Sequence, residues 1–197
     1  FRPFVQRHGP KTALTLVSST YGVLCLASAP DSVLLWAHYG DGHSGYLVGF
    51  DSEHPWFHTQ GPADPPLDHV LPVVYRAARP VVEVGSSQDL GSAGRAALAH
   101  GLLYTKASEW SYEQEWRLVR PLAHANATRN TDRGEPLHLF EYPPELVLEV
   151  IIGARATEES ADAIRYAFVN SRLPRARLRR ARLSDSSYAL AIDDEAA

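Results

Sequence analysis

The sequence predicts an α+β fold, and three observations carry that prediction. Short apolar runs bounded by Gly and Pro recur along the chain as strands do, while only a few stretches have helical spacing. Their order is mixed, with no internal repeats and without the regular strand–helix alternation of a parallel sheet. At 45% hydrophobic and 21% charged, with a net charge of −4 over 197 residues, the composition supplies a core and excludes a disordered chain.

In chain order, Tyr21-Gly22-Val23-Leu24-Cys25-Leu26-Ala27-Ser28 reads as a short strand, closed by Ala29-Pro30. Asp31 fits the N-cap of a helix whose apolar face is Val33, Leu34, Trp36 and Ala37, and Gly40 fits its end. Residues 45–51 read as a strand followed by a His/Pro-rich loop through Pro66, and residues 71–75 and 81–84 as two more strands. An Ala/Leu-rich helix is expected over residues 92–104. Glu109-Trp110-Ser111-Tyr112-Glu113-Gln114-Glu115 then runs into a strand over 116–119, and the polar stretch 123–136 reads as a loop. Residues 146–153 are the clearest strand. Thr157-Glu158-Glu159-Ser160 opens a helix with acids at the positive end of its dipole, running to about Asn170. The tail from Ala176 to Ile192 alternates well enough for two strands.

The chain begins Phe1-Arg2-Pro3 and has no Met. Removal of an initiator Met needs a small second residue, so the expectation is the C-terminal part of a longer protein. It would be a single domain over 1–197, with 172–197 as a strand-rich extension. One cysteine makes neither an internal disulfide nor a thiolate metal site. No apolar run reaches the roughly 18 residues of a membrane span, because Pro30, Asp31 and His38 interrupt the best stretch, so no membrane partner is expected. Of 19 basic residues 17 are Arg, which with the abundant Ala points to a GC-rich genome.

Gly40-Asp41-Gly42-His43-Ser44-Gly45 spells G-x-G-x-x-G, but a dinucleotide fingerprint needs a strand before it and a helix after it, and here the order is reversed. A helix-ending turn is the better reading. His38 and His43 do not share one helix, since glycines intervene, so hydrogen-bonding or stacking roles fit them better than a metal. The six arginines from Arg172 to Arg182 form the only basic cluster. It reads as a phosphate-binding stripe or, better in an acidic chain, as the solvent face of an amphipathic strand. Cys25 reads as a buried core thiol.

Glu113-Gln114-Glu115 is the strongest chemical signal. Strand alternation would point Glu113 and Glu115 to one side, where mutual repulsion raises one pKa and suits paired duties at a reacting centre. The alternative is an edge strand of solvated acids, one paired to Arg117 or Arg120.

Two long segments carry a resemblance. Trp36-Ala37-His38-Tyr39-Gly40-Asp41-Gly42-His43-Ser44-Gly45 through Gly49-Phe50-Asp51 resembles the W-[AS]-H-Y-x-D-x-H-x-G-x-x-x-G-F-D segment of a bacterial family of unknown function, DUF2971. Lys106, Trp110 and Tyr112-Glu113-Gln114-Glu115-Trp116-Arg117 resemble its downstream W-x-Y-E-x-E-W-R segment. More distantly, a strand with Ser, a helix, a strand and then E-x-E at the head of another strand is similar to ADP-ribosyltransferases.

That second resemblance implies a split β-sheet core with flanking helices, here lacking its first strand, and NAD as substrate. It implies Glu115 as catalytic acid with Glu113 beside it, Ser28 on the second element, and Tyr39 or Trp36 as the ring stacked on nicotinamide, with His38 and His43 as further contacts. It also implies an unidentified macromolecular acceptor, a site completed by an upstream segment or partner chain, and action in a bacterial or target-cell cytoplasm, as in a toxin or antiphage-defence effector. Two other readings stay open. One is a non-enzymatic binding or regulatory module built on Trp36, His38, Tyr39, Trp110 and Trp116; the other is a metal-dependent nuclease using Glu113, Glu115 and His38.

Overall fold

The computed structural model describes residues 17–58, 69–79 and 101–195. Within them the chain runs β1 (Tyr21–Ala27), α1 (Val33–Tyr39), β2 (Tyr46–Phe50), β3 (Leu71–Pro72), β4 (Val74–Arg76), β5 (Thr105–Ala107) and β6 (Glu115–Pro121). It continues through β7 (Ala127–Asn130), β8 (Pro136–Leu139), β9 (Val147–Ile152), α2 (Glu158–Asn170), β10 (Arg177–Leu183) and β11 (Leu190–Asp194), with short 3-10 turns between several elements. The class is α+β. The strand expected over 81–84 and most of the helix expected over 92–104 lie outside the described residues, although residues 101–103 are helical. No helix among the described residues is long and apolar enough to cross a membrane.

Contacts divide the chain into two compact units, Phe1–Ala27 with Phe57–Glu141, and Ser28–Trp56 with Tyr142–Ala197. In the first, β6 is the central strand of the order β1-β6-β3. All of β1 pairs antiparallel with β6, from Tyr21 opposite Pro121 to Ala27 opposite Glu115. On the other edge Leu71 lies opposite Arg117. Beneath them Leu103, Tyr104 and Val119 form a buried cluster with Val17, Tyr21 and Leu71.

The strand expected over 71–75 is in fact two, because its backbone changes partner. The Val73 N–H donates to the Glu115 carbonyl and that of Val74 to the Tyr104 carbonyl. From there β4 pairs in parallel with β5, a strand too short to show a period in the sequence. The loop expected over 123–136 is instead largely the hairpin β7–β8, turning at Gly134 with φ of 78°. Every residue of β7 is exposed, so the hairpin has no hydrophobic alternation by which to announce itself.

The second unit holds a sheet of order β11-β10-β9-β2. β9 and β10 are parallel and joined by α2, a strand–helix–strand crossover. Thr157 caps α2 by accepting the Ser160 N–H, Glu158 and Glu159 occupy the first turn, and fully buried Ala161 packs with Ile152 and Ala156. β2 pairs antiparallel with β9. The tail strands β10 and β11 thus belong to the body of this sheet, pairing from Arg179 opposite Asp194 to Leu183 opposite Leu190.

The cap of α1 is Ser32, whose Oγ accepts the Leu35 N–H, and not the expected Asp31. The carbonyl of Asp31 instead receives the N–H of Leu190. α1 stops at Gly40, where a Cβ would lie 2.6 Å from the Trp36 ring. Of the six tail arginines, Arg175 pairs with Asp51, Arg179 with Glu149 and Asp194, Arg180 with Glu158, and Arg182 with Asp193. Four guanidinium groups are therefore matched by acids of their own unit, as the amphipathic-strand reading expected.

Candidate functional site

The chemistry of the first unit gathers where β6 begins. Residues Ser108–Glu113 make a 3-10 turn, Gln114 takes a left-handed conformation with φ of 46°, and Glu115 opens the strand. Glu113 and Glu115 therefore do not share a side by strand alternation. They converge because the left-handed residue between them redirects the chain. Their carboxylates meet at one ammonium: Lys106 Nζ bonds Glu113 Oε2 and also Glu115 Oε2, at 3.0 Å.

Arg117, two residues along β6, closes the other side. Its Nε donates to Glu115 Oε1 at 2.7 Å and its Nη2 to Glu115 Oε2 at 3.1 Å, a two-pronged grip, while Nη1 donates to the Leu103 carbonyl. The Glu115 backbone is equally fixed, its N–H donating to Tyr75 Oη at 2.8 Å and its carbonyl accepting from Val73. Only 3% of Glu113 and 5% of Glu115 is exposed, so two buried anions are balanced by two cations. The Lys106 ammonium also lies 5.2 Å from the ring centroid of Trp110, itself tilted against Tyr112.

These contacts reverse the electrostatic expectation. Burial opposes ionisation of Glu115, but hydrogen bonds from Arg117, Cys25 and Lys106 outweigh it and bring its pKa down to about 2. Lys106 is likewise desolvated, yet its bonds to Glu113 and Glu115 move its pKa above the ordinary lysine value. Arg117 is raised in the same way by Glu115. The ammonium of Lys106, bonded to both carboxylates, offsets the repulsion between them.

Cys25 corrects a second expectation: it is not a core thiol. It lies opposite Arg117 in the β1–β6 register and is exposed as a residue, although its sulfur is partly desolvated against Glu115. Burial first, and then the hydrogen bond to Glu115, push its pKa up to about 11. At pH 8 the thiolate fraction is then roughly one in a thousand, partly offset by the higher nucleophilicity of a more basic thiolate. Alkylation of Cys25 by iodoacetamide should run about tenfold or more slower than that of free cysteine, and faster in Glu115→Gln. Equal rates in the two proteins would show that Glu115 does not govern the thiol.

The remaining sequence candidates, Ser28, Trp36, His38, Tyr39 and His43, belong to the second unit. Trp36 is 2% exposed, packs in a core with Ile151, Ala181 and Leu190, and donates from Nε1 to the Pro30 carbonyl at 2.7 Å. Its ring is a core ring. Tyr39 is 67% exposed, with the His38 ring edge-on at 6.2 Å. His43 sits in a turn where Asp41, Gly42 and His43 all have positive φ, and its N–H and carbonyl are bonded to Trp36 and Arg155. Among the described residues no group of three or more His, Cys, Asp or Glu is arranged to hold a metal ion.

Lys106 and Arg117 are the cluster members that sequence reasoning left without a fixed role. The available signals were weak: Lys106 is one of two lysines in the chain, and Arg117 lies two residues from Glu115 on one strand.

The model of a family described as a protein of unknown function, DUF2971, matches residues 35–118. Over those residues the chain is similar to that family. That segment runs from α1 into β6 and takes in Tyr39, His43, Lys106, Glu113, Glu115 and Arg117. No curated protein and no solved structure matches the chain.

Proposed function

We propose that this is an ADP-ribosyltransferase-like NAD-binding domain, whose reaction centre is the Glu113–Lys106–Glu115–Arg117 cluster. The observation that carries the reading is the Glu115 carboxylate at the head of β6, buried yet held ionised. In the proposed reaction the bond between C1′ of the ribose and the nicotinamide nitrogen breaks, and its electron pair leaves with nicotinamide. Positive charge develops on the sugar, and a fixed anion in a low-dielectric setting stabilises it. An acceptor hydroxyl or amine, or water, then bonds to C1′, and Glu113 takes its proton. Tyr39, Ser28, His38 and His43, which the resemblance names as NAD contacts, belong to the other unit, and the proposed reaction centre does not draw on them. Trp36, a core ring, is left out.

The natural setting of such a reaction is a cytoplasm, where NAD is abundant, in a toxin or defence role argued by analogy alone. The test is NAD consumption and ADP-ribose transfer by the full-length protein against Glu115→Gln, with folding checked by circular dichroism. Turnover should fall about a hundredfold or more. Equal turnover, or neither binding nor turnover of NAD by the wild-type protein, overturns the proposal.

A second reading rests on a specific observation: Arg117 and Lys106 between them already engage both oxygens of Glu115. The cluster would then be the ion-paired keystone of a non-enzymatic binding module, with exposed Trp110 and Trp116 beside it in sequence. On that reading Glu115→Gln lowers stability and leaves no catalysis to lose. The nuclease reading is not carried forward, since the ammonium of Lys106 bonds both carboxylates where a metal would have to bind.

A further inference from the structure

His58 and His69 lie apart from the carboxylate cluster in the sequence, and no reading above uses them. They face each other as an isolated antiparallel bridge. The adjoining bond, Val70 N–H to the Phe57 carbonyl at 2.9 Å, makes His58 and His69 a non-hydrogen-bonded pair. That is the arrangement in which opposite side chains stand closest and leave the sheet on the same face. The two imidazole centroids are 4.7 Å apart with the rings tilted by 58°. Phe57 and Val70, which flank the pair, are buried, so the backbone carrying both rings is anchored. Both histidines are themselves half-buried and remain accessible.

We infer that His58 and His69 form a two-histidine clamp for a divalent transition-metal ion of the Zn²⁺ or Ni²⁺ class. A tetrahedral ion with two metal–nitrogen bonds of about 2.0–2.1 Å holds its donor nitrogens roughly 3.3 Å apart. Centroids 4.7 Å apart are close enough for one nitrogen of each ring to lie at about that separation. Two imidazoles on fixed backbone chelate with little further loss of freedom, whereas carboxylate-preferring Mg²⁺ finds no oxygen donor in the pair. The two remaining positions of the ion stay open to water. Because the ion binds the paired arrangement of residues 58 and 69, it favours the folded state.

The test uses the untagged 197-residue protein after chelator treatment. Ni²⁺ or Zn²⁺ at 1 mM should raise the thermal midpoint by about 3–7 °C, and Mg²⁺ should not. Either His58→Gln or His69→Gln should abolish the shift and the single Ni²⁺ retained per chain in equilibrium dialysis, whereas His124→Ala should keep both. A second measurement needs no variant: substoichiometric Cu²⁺ should broaden the imidazole resonances of two of the nine histidines. Persistence of the shift in both Gln variants, absence of any retained Ni²⁺, or broadening spread evenly over the histidines would each overturn the inference.

Discussion

Replacing Lys106 by Met is expected to destabilise the protein by about 3–5 kcal/mol near neutral pH, the usual cost of removing one partner from a buried ionic group. Met keeps the length of the side chain but supplies no charge, so two buried carboxylates lose the ammonium they share, while Glu115 keeps its pairing with Arg117. The cation over Trp110 is lost as well.

The pH dependence has a definite sign. In the wild-type protein the folded pKa of Glu115 is about 2, below its ordinary 4.5. Its contribution to stability is therefore full above about 4.5 and is lost as pH falls toward 2. Without Lys106 the folded pKa rises toward the unfolded value, so the stability profile of Lys106→Met should be flatter across that window and the gap between the two proteins should narrow on acidification. Urea unfolding from pH 2.5 to 7 measures this directly. Adding Glu113→Gln to Lys106→Met should recover part of the loss, because one of the two carboxylates deprived of the Lys106 ammonium is then neutral; a strictly additive double variant would show that the two residues do not interact.

Gly153→Ala should cost more than about 3 kcal/mol, although it adds a single methyl group. A Cβ at this position would lie 2.2 Å from the His43 carbonyl oxygen and 2.7 Å from that of Gly45, both of them backbone atoms. Neither retreats by turning a side chain, so the 40–45 turn must move. In moving it gives up the bonds from Gly153 N–H to the Gly45 carbonyl and from Arg155 N–H to the His43 carbonyl, each 2.9 Å. Gly42→Ala, in the same turn, is the contrast. Its φ of +59° is unfavourable to a side chain, but nothing lies within 4 Å, so a cost near 1 kcal/mol is expected. Chemical denaturation of the two variants separates a steric clash from a backbone preference, and similar losses would refute the distinction.

How much of this was legible beforehand depended on whether the determinants were local. β1, α1, β9, α2 and the two tail strands were readable because apolar runs bounded by Gly, Pro or capping residues mark them in the sequence, and in β9 that run buries Val147, Val150, Ile151 and Ile152. The hairpin β7–β8 was not, since β7 buries no residue. The division of 71–76 between two partners was not either, because it is decided by the carbonyls of Glu115 and Tyr104, far along the chain. For the site, the E-x-E signal at the head of a strand was visible, and a pairing of one acid with Arg117 or Arg120 was weighed. The left-handed Gln114 was invisible, and with it the reason why the two carboxylates meet.

By itself the sequence determined the α+β class, the principal strands and helices, the resemblance of two motif segments to an uncharacterised family, and Glu113 and Glu115 as the residues to watch. The class and the elements follow from spacing and composition along the chain, and the resemblance from the motifs themselves. Only the tertiary structure decided that Trp36 is core, that Cys25 abuts Glu115, and that Lys106 and Arg117 hold that carboxylate ionised. The reason is physical: a carboxylate's pKa is set by the charges and hydrogen-bond donors within a few ångströms of it, and here one of them, Lys106, is brought from another strand.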